Sequence, residues 1–63
     1  MHAGKQLKKL QLKHKITSTE LASHLGVRDP QVNKWRNSED MKLSTVLLIC
    51  EYAGVTINEF LED

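Results

Sequence analysis

The 63-residue sequence predicts an all-α fold of five short helices, and three observations carry that prediction. Apolar residues recur at three- and four-residue spacing, and strand-like alternation is absent. Gly4, Gly26, Gly54 and the single proline, Pro30, fall where helices would start or stop. Thr17–Glu20 and Thr56–Glu59 each have the form of a capping box, in which a Thr hydroxyl and a Glu carboxylate three residues on satisfy two orphaned N–H groups. The length suits one domain, residues 1–63, with no linker, internal repeat or low-complexity segment.

The first helix is predicted from about Gly4 to His14. Ala3, Leu7, Leu10, Gln11 and His14 share one face, Lys5, Lys8, Lys9 and Lys13 take the rest, and Leu12 falls off the apolar stripe. The second helix opens at the Thr17 cap, with Ile16 placed to pack on Leu21 as a hydrophobic staple. Leu21, Ala22 and Leu25 form its inner face, and Gly26 ends it in a left-handed conformation. The third begins with Asp29 as N-cap and Pro30 at N1, where the missing N–H costs nothing. Val32 and Trp35 point inward, and Pro30, Asn33, Lys34 and Asn37 project from the opposite side. After a polar connection at residues 37–40, the fourth helix spans Leu43 to Ala53 with a core stripe of Leu43, Val46, Leu47, Cys50 and Ala53. Gly54 ends it, and the fifth helix runs from Ile57 to Glu62 behind the second capping box.

The net charge of +1 hides a split. Residues 1–37 hold eight basic and two acidic residues, a net +6, together with all three histidines. Residues 38–63 hold one base and six acids, a net −5. Such asymmetry points to a nucleic-acid or acidic partner. The longest strictly apolar run, Val46 to Cys50, is far short of the about 20 residues a membrane span needs. The N-terminus lacks an apolar signal core, so a soluble cytoplasmic protein with no membrane partner is expected. The single Cys50 excludes an internal disulfide and, on the apolar stripe, reads as an inert core thiol rather than a redox sensor. His14 and His24 have no carboxylate or thiolate cluster near them, so no metal or other cofactor is expected. There is no nucleophile–base pair and no phosphate-cradling glycine loop, which argues against an enzyme and a small-molecule ligand.

The informative segment is Thr17 to Asn37: a short helix, a glycine-centred turn, then a helix with a polar and basic outer face. That is the helix-turn-helix pattern. Small Ala22 permits a close helix crossing, Gly26 turns the chain, and Val27 plugs the corner. Trp35 reads as core rather than as a base-stacking residue.

On Thr17, Glu20-Leu21-Ala22, Leu25-Gly26-Val27, Val32, Trp35 and Asn37, then Leu43, Thr45, Leu47, Ile49, Gly54-Val55 and Ile57 to Leu61, the sequence resembles the lambda-repressor-like, Cro/CI or XRE-type helix-turn-helix domains. The resemblance covers about residues 4 to 62. It implies a compact five-helix bundle whose third helix reads the major groove of double-stranded DNA, usually as a homodimer on a palindromic operator. It places base-edge contacts at Arg28, Asp29, Pro30, Asn33 and Lys34, and backbone contacts at Ser18, Gln31, Asn37, Lys42 and Ser44. Arg28 and Lys34 can donate to guanine, and Asn33 can pair with adenine or reach a phosphate. Gln31 lies at a helix N-terminus, where free N–H groups favour a phosphate. Asp29 is repelled by phosphate and serves as a cap or accepts from cytosine, and Pro30 offers only apolar contact, to a thymine methyl. Many relatives pair an Arg on helix 1 with a Glu on helix 3. Here the positions hold Gln11 and Arg36, which implies a mutual hydrogen bond or an Arg36 turned to DNA.

Leu12, Leu48 and Tyr52 lie off their helices' core stripes, as scattered surface apolars or as part of a partner surface. Relatives often dimerise through their last helices, so Leu48, Tyr52, Phe60 and Leu61 are the candidate dimer surface. The lysines of helix 1 read equally as a solvated face and as a DNA surface. The expected function is a sequence-specific transcriptional regulator, a small Cro-like repressor of phage, prophage or plasmid origin. With no sensing domain in so short a chain, its control is expected through protein concentration and dimerisation. The alternative is a protein-interaction module that keeps the fold and binds another regulator or a toxin.

Overall fold

In the computed structural model, which describes residues 2–62, five helices follow in order: α1 (Ala3–His14), α2 (Ser18–Leu25), α3 (Asp29–Arg36), α4 (Leu43–Ala53) and α5 (Ile57–Leu61). Asp63, counted above in the acidic segment, lies outside the described residues. Among the described residues there is no strand. Both capping boxes form. Thr17 Oγ1 accepts from the Glu20 amide at 3.1 Å, and Glu20 Oε1 accepts from the Thr17 amide at 2.9 Å. The α5 box is looser, at 3.2 and 3.4 Å. His2 caps α1, its Nδ1 accepting from the Lys5 amide at 3.2 Å.

Three helices end in the same way. After α1, α2 and α4 the chain passes through one left-handed residue, and the next amide reaches back five residues to a helix carbonyl. These bonds run from Ile16 to Gln11, Val27 to Ala22 and Val55 to Cys50, at 2.9, 2.9 and 3.0 Å. The left-handed residues are Lys15 (φ 55°), Gly26 (φ 72°) and Gly54 (φ 73°). The two glycines fit the expectation. Lys15 does not announce itself, because only backbone geometry shows that its φ is positive. An L side chain there costs roughly 1 kcal/mol. Lys15→Gly should therefore raise stability by about 1 kcal/mol, or about 4–8 °C in thermal midpoint for a domain of this size. Thermal melting followed by circular dichroism checks this.

The core is built from all five helices: Leu7, Leu10, Leu21, Ala22, Val32, Val46, Ile49, Cys50 and Phe60. Ile16, Leu25, Val27 and Trp35 pack against it from the flanks. Two expected faces shift. On α1, His14 is exposed, and Gln6 joins Ala3, Leu7, Leu10 and Gln11 inside. On α4, Leu43 and Leu47 are 61% and 49% exposed, and Ile49 is buried instead. The five consecutive apolar residues from Val46 to Cys50 fit two helical stripes. Contacts with α2 and α5 select the one through Val46, Ile49, Cys50 and Ala53. Burial raises the Cys50 thiol pKa, helped by the negative Glu59, and keeps it protonated. The fifth helix ends at Leu61, one residue before the expected Glu62, and the buried Gln6 amide donates to the carbonyls of Phe60 (3.1 Å) and Glu62 (2.6 Å).

Candidate nucleic-acid interface

The α2–turn–α3 unit presents one side of α3 to solvent. Val32 is fully buried and Trp35 half-buried, which fixes the roll of the helix. Arg28, Asp29, Pro30, Asn33, Lys34 and Asn37 are all exposed. The five expected base-reading positions thus share the N-terminal and outer part of one helix, with no core role to prevent contact with a groove.

The start of α3 departs from expectation. Arg28 is the N-cap, without a side-chain capping bond, and Asp29 and Pro30 are the first two helical residues. Asp29 does not cap. Its Oδ2 accepts from the Thr19 hydroxyl at 2.8 Å, bracing α3 against α2 across the turn. The Gln31 amide is not free either, because it donates to the Arg28 carbonyl at 2.9 Å. Pro30 has no N–H. The helix N-terminus is therefore a poor phosphate cradle, and a contact by Gln31 must come from its side chain. That side chain is half-buried and lines a cleft with Lys34, Trp35 and Lys42, between α3 and the start of α4.

Gln11 holds three elements together. Its amide nitrogen donates to the Ile16 carbonyl and to Ser18 Oγ, both at 3.2 Å, and its Oε1 accepts from Arg36 Nη1. The proposed Gln11–Arg36 hydrogen bond is present. The contact with Ser18 had no signal in the sequence, because the two residues have no fixed helical register to each other. Ser18 Oγ is used as an acceptor and keeps its proton to donate. Asn37 donates from Nδ2 to the Asn33 carbonyl at 3.0 Å, leaving a second amide hydrogen. The Ser38 hydroxyl donates to the Lys34 carbonyl at 2.8 Å. Lys42 and Ser44 are exposed at the start of α4, Lys42 being its N-cap with no side-chain capping bond.

The end of α3 is held from behind by α1. The Ala3 and Gly4 amides, orphaned at the helix start, donate to the Glu39 and Ser38 carbonyls at 2.8 and 2.9 Å. Gly4 sits so close to α3 that a Cβ would lie 2.7 Å from the Trp35 carbonyl oxygen and closer still to that of Arg36. Gly4 carries no composition or periodicity signal for this, since a glycine at a helix start looks like punctuation.

Compared with known families, the sequence matches the profile of the Cro/C1-type HTH DNA-binding domain over residues 6–63. The chain belongs to this family. No curated protein and no solved structure matches it. As a Cro/C1-type domain it is, at the level of the family, a DNA-binding regulator. No helix among the described residues is long and apolar enough to cross a membrane.

In this Cro/C1-type domain the expected dimer surface is only partly available. Phe60 is 2% exposed, a core residue, because it is the inward position of a five-residue helix. Tyr52 is half-buried, its hydroxyl donating to Glu20 Oε2 at 3.2 Å and its ring 4.4 Å from that of His24. Leu48 and Leu61 are exposed, and Leu43 and Leu47 join them.

Tyr52 and Glu20 strap α4 to α2. The hydrogen bond from the Thr17 amide, then those from the Thr17 and Tyr52 hydroxyls, hold the Glu20 carboxyl below its ordinary 4.5. Burial, then the bond to and charge of Glu20, push the Tyr52 phenol up. A depressed carboxylate contributes stability that is complete above its unfolded pKa and is lost as pH falls through the folded one. Stability should therefore drop on acidification below about pH 4.5. Glu20→Gln keeps a capping acceptor but cannot titrate, so it should flatten that part of the profile. Denaturant titrations at stepped pH check the slope, and an unchanged slope would exclude Glu20 as a contributor.

Proposed function

We propose that the chain is a sequence-specific transcriptional repressor of the Cro type, acting in the cytoplasm as a homodimer on a palindromic operator. The observation that carries this is the face of α3. Arg28, Asn33 and Lys34 stand exposed together on a helix whose other side is anchored by Val32 and Trp35. In this reading Arg28, Asn33 and Lys34 read base edges, and Pro30 touches a thymine methyl. Asp29, tied to Thr19, contributes through its remaining oxygen to cytosine or acts only as a brace. The side chains of Ser18, Gln31, Asn37, Lys42 and Ser44 hold the phosphates that set the register.

The dimer forms through the outer face of α4, where Leu43, Leu47 and Leu48 are exposed and the first turn carries no acid. Its two-fold symmetry is matched by half-sites one helical turn apart. Selection from random oligonucleotides with the purified protein tests the whole reading. The expected product is an inverted repeat with half-sites spaced by about 10 base pairs. Failure to enrich any sequence would reject it.

A second reading, a protein-interaction module on the same fold, is supported by the five exposed leucines and by Asp29 and Pro30 on the reading helix. Salt separates the two. A groove reader loses affinity steeply as salt rises and binds its site at least about a thousandfold tighter than other DNA. An interaction module shows neither property.

A further inference from the structure

The geometry points to a second contact between copies of this chain, on the α1/α5 face, through which one copy's basic ridge lies on the other's acidic ridge. This goes beyond the operator-bound dimer proposed above and uses a different surface. Its basis is a groove between α1 and α5. One wall carries Lys9, Lys13 and His14, the other Glu59 and Glu62, and all five are exposed. The floor is Leu10, Val55 and Phe60. The spacing of the ridges is fixed, because the buried Gln6 amide is bonded to the carbonyls of Phe60 in α5 and of Glu62 just after it. A basic stripe and an acidic stripe therefore run side by side, held apart by the fold.

Such a surface is complementary to itself. A two-fold axis lying along the groove carries each α1 ridge over the partner's α5 ridge, so that every pairing of opposite charges forms twice, once from each copy. The same rotation would be repulsive for a surface of one sign. The other two flanks of α1 are already occupied, by α3 at Gly4 and Gln11 and by α5 at Gln6. What remains is the lysine ridge of Lys9 and Lys13; Leu12, 83% exposed, lies on the far flank of α1 beside Lys8, Lys15 and Arg36. Leu61, the last residue of α5, is exposed but does not line the groove. An acidic ridge beside the basic one repels a phosphate backbone and suits a protein surface of matching mixed charge, and that surface is on the chain itself. With the α4 contact, this one would join two dimers and make binding to neighbouring operators cooperative.

The test is sedimentation velocity in a Leu47→Asp background, which removes the α4 contact and leaves the α1/α5 one. At about 50 mM salt this variant should form a reversible dimer, and at about 500 mM salt it should be monomeric, because the contact is between exposed charges. Adding Lys9→Glu and Lys13→Glu should weaken the dimer at least about tenfold, as should adding Glu59→Gln and Glu62→Lys. Gln keeps the α5 capping bond. A one-to-one mixture of the two altered proteins should restore it, because each then offers the ridge the other lacks. A Leu47→Asp protein that stays monomeric at all concentrations overturns the proposal, as does a dimer indifferent to the lysine changes or a mixture that fails to associate. If Leu47→Asp behaves as the wild type, the α4 dimer fails, and the lysine and glutamate variants still decide this contact.

Discussion

Gly4→Ala should destabilise the fold by about 3 kcal/mol, although glycine to alanine inside a helix is ordinarily a gain of about 0.5–1 kcal/mol. The two effects have opposite signs, so the measurement is decisive. Helix propensity acts on α1 alone. The clash acts on two backbones, because the new Cβ would meet the carbonyls of Trp35 and Arg36 rather than the end of a flexible side chain. Neither can move without lifting α1 off the end of α3. That movement would also lengthen the bonds from the Ala3 and Gly4 amides to Glu39 and Ser38. A domain of 63 residues has roughly 3–9 kcal/mol in total at about 0.05–0.15 kcal/mol per residue. The loss is a large fraction of that. Urea denaturation followed by helical circular dichroism measures it, with Lys5→Ala as an exposed control on the same turn. A neutral or stabilised Gly4→Ala would mean that α1 and α3 do not approach this closely.

Gly4 also shows where sequence reasoning stops. Local signals were legible: both capping boxes, both glycine helix ends, and the inward roll of α3 set by Val32 and Trp35. Each depends on residues a few positions apart, where chain geometry fixes who meets whom. What was not legible depends on pairs far apart. Gln6 reads as a polar residue on α1 until α5 brings its end carbonyls to it. Asp29 reads as a cap until Thr19, ten residues back, takes its carboxylate. Leu43 and Leu47 read as core because a run of apolar residues does not say which stripe the neighbours will cover. The candidate interface was easier than the core boundary, since it rests on one helix and its immediate flanks. Its second layer, Gln11 linking Arg36 to Ser18, was half visible. Both partners of a familiar ion pair had changed together, which suggested the bond to Arg36 and gave no sign of Ser18.

Lys34→Ala should cost about 1–3 kcal/mol on the selected operator, a loss of affinity of about 5- to 150-fold, with no loss of stability. The side chain is exposed on the outer face of α3 and has no core role, so folding does not depend on it. The Lys34 carbonyl, which does carry structure through the Ser38 hydroxyl and the Asn37 amide, is unchanged by the substitution. How the loss is distributed reveals the contact. If Lys34 donates to a guanine edge, affinity falls on the preferred site, falls little elsewhere, and the base preference at one position relaxes. If it sits on a phosphate through the cleft it shares with Gln31 and Lys42, affinity falls about equally on all sequences and the salt slope decreases by about one. On a single isolated operator, where the α1/α5 contact has no second dimer to join, Lys9→Ala, on the α1 ridge away from α3, controls for bulk charge and should change affinity by no more than about twofold at physiological salt. Small net charge makes the comparison sensitive. At +1 overall the domain has little nonspecific attraction to mask the loss of one directed contact. A Lys34→Ala protein that binds as tightly as wild type, on the selected site and at every salt concentration, would move the reading face off α3 and leave the interaction-module reading as the better account of the exposed leucines.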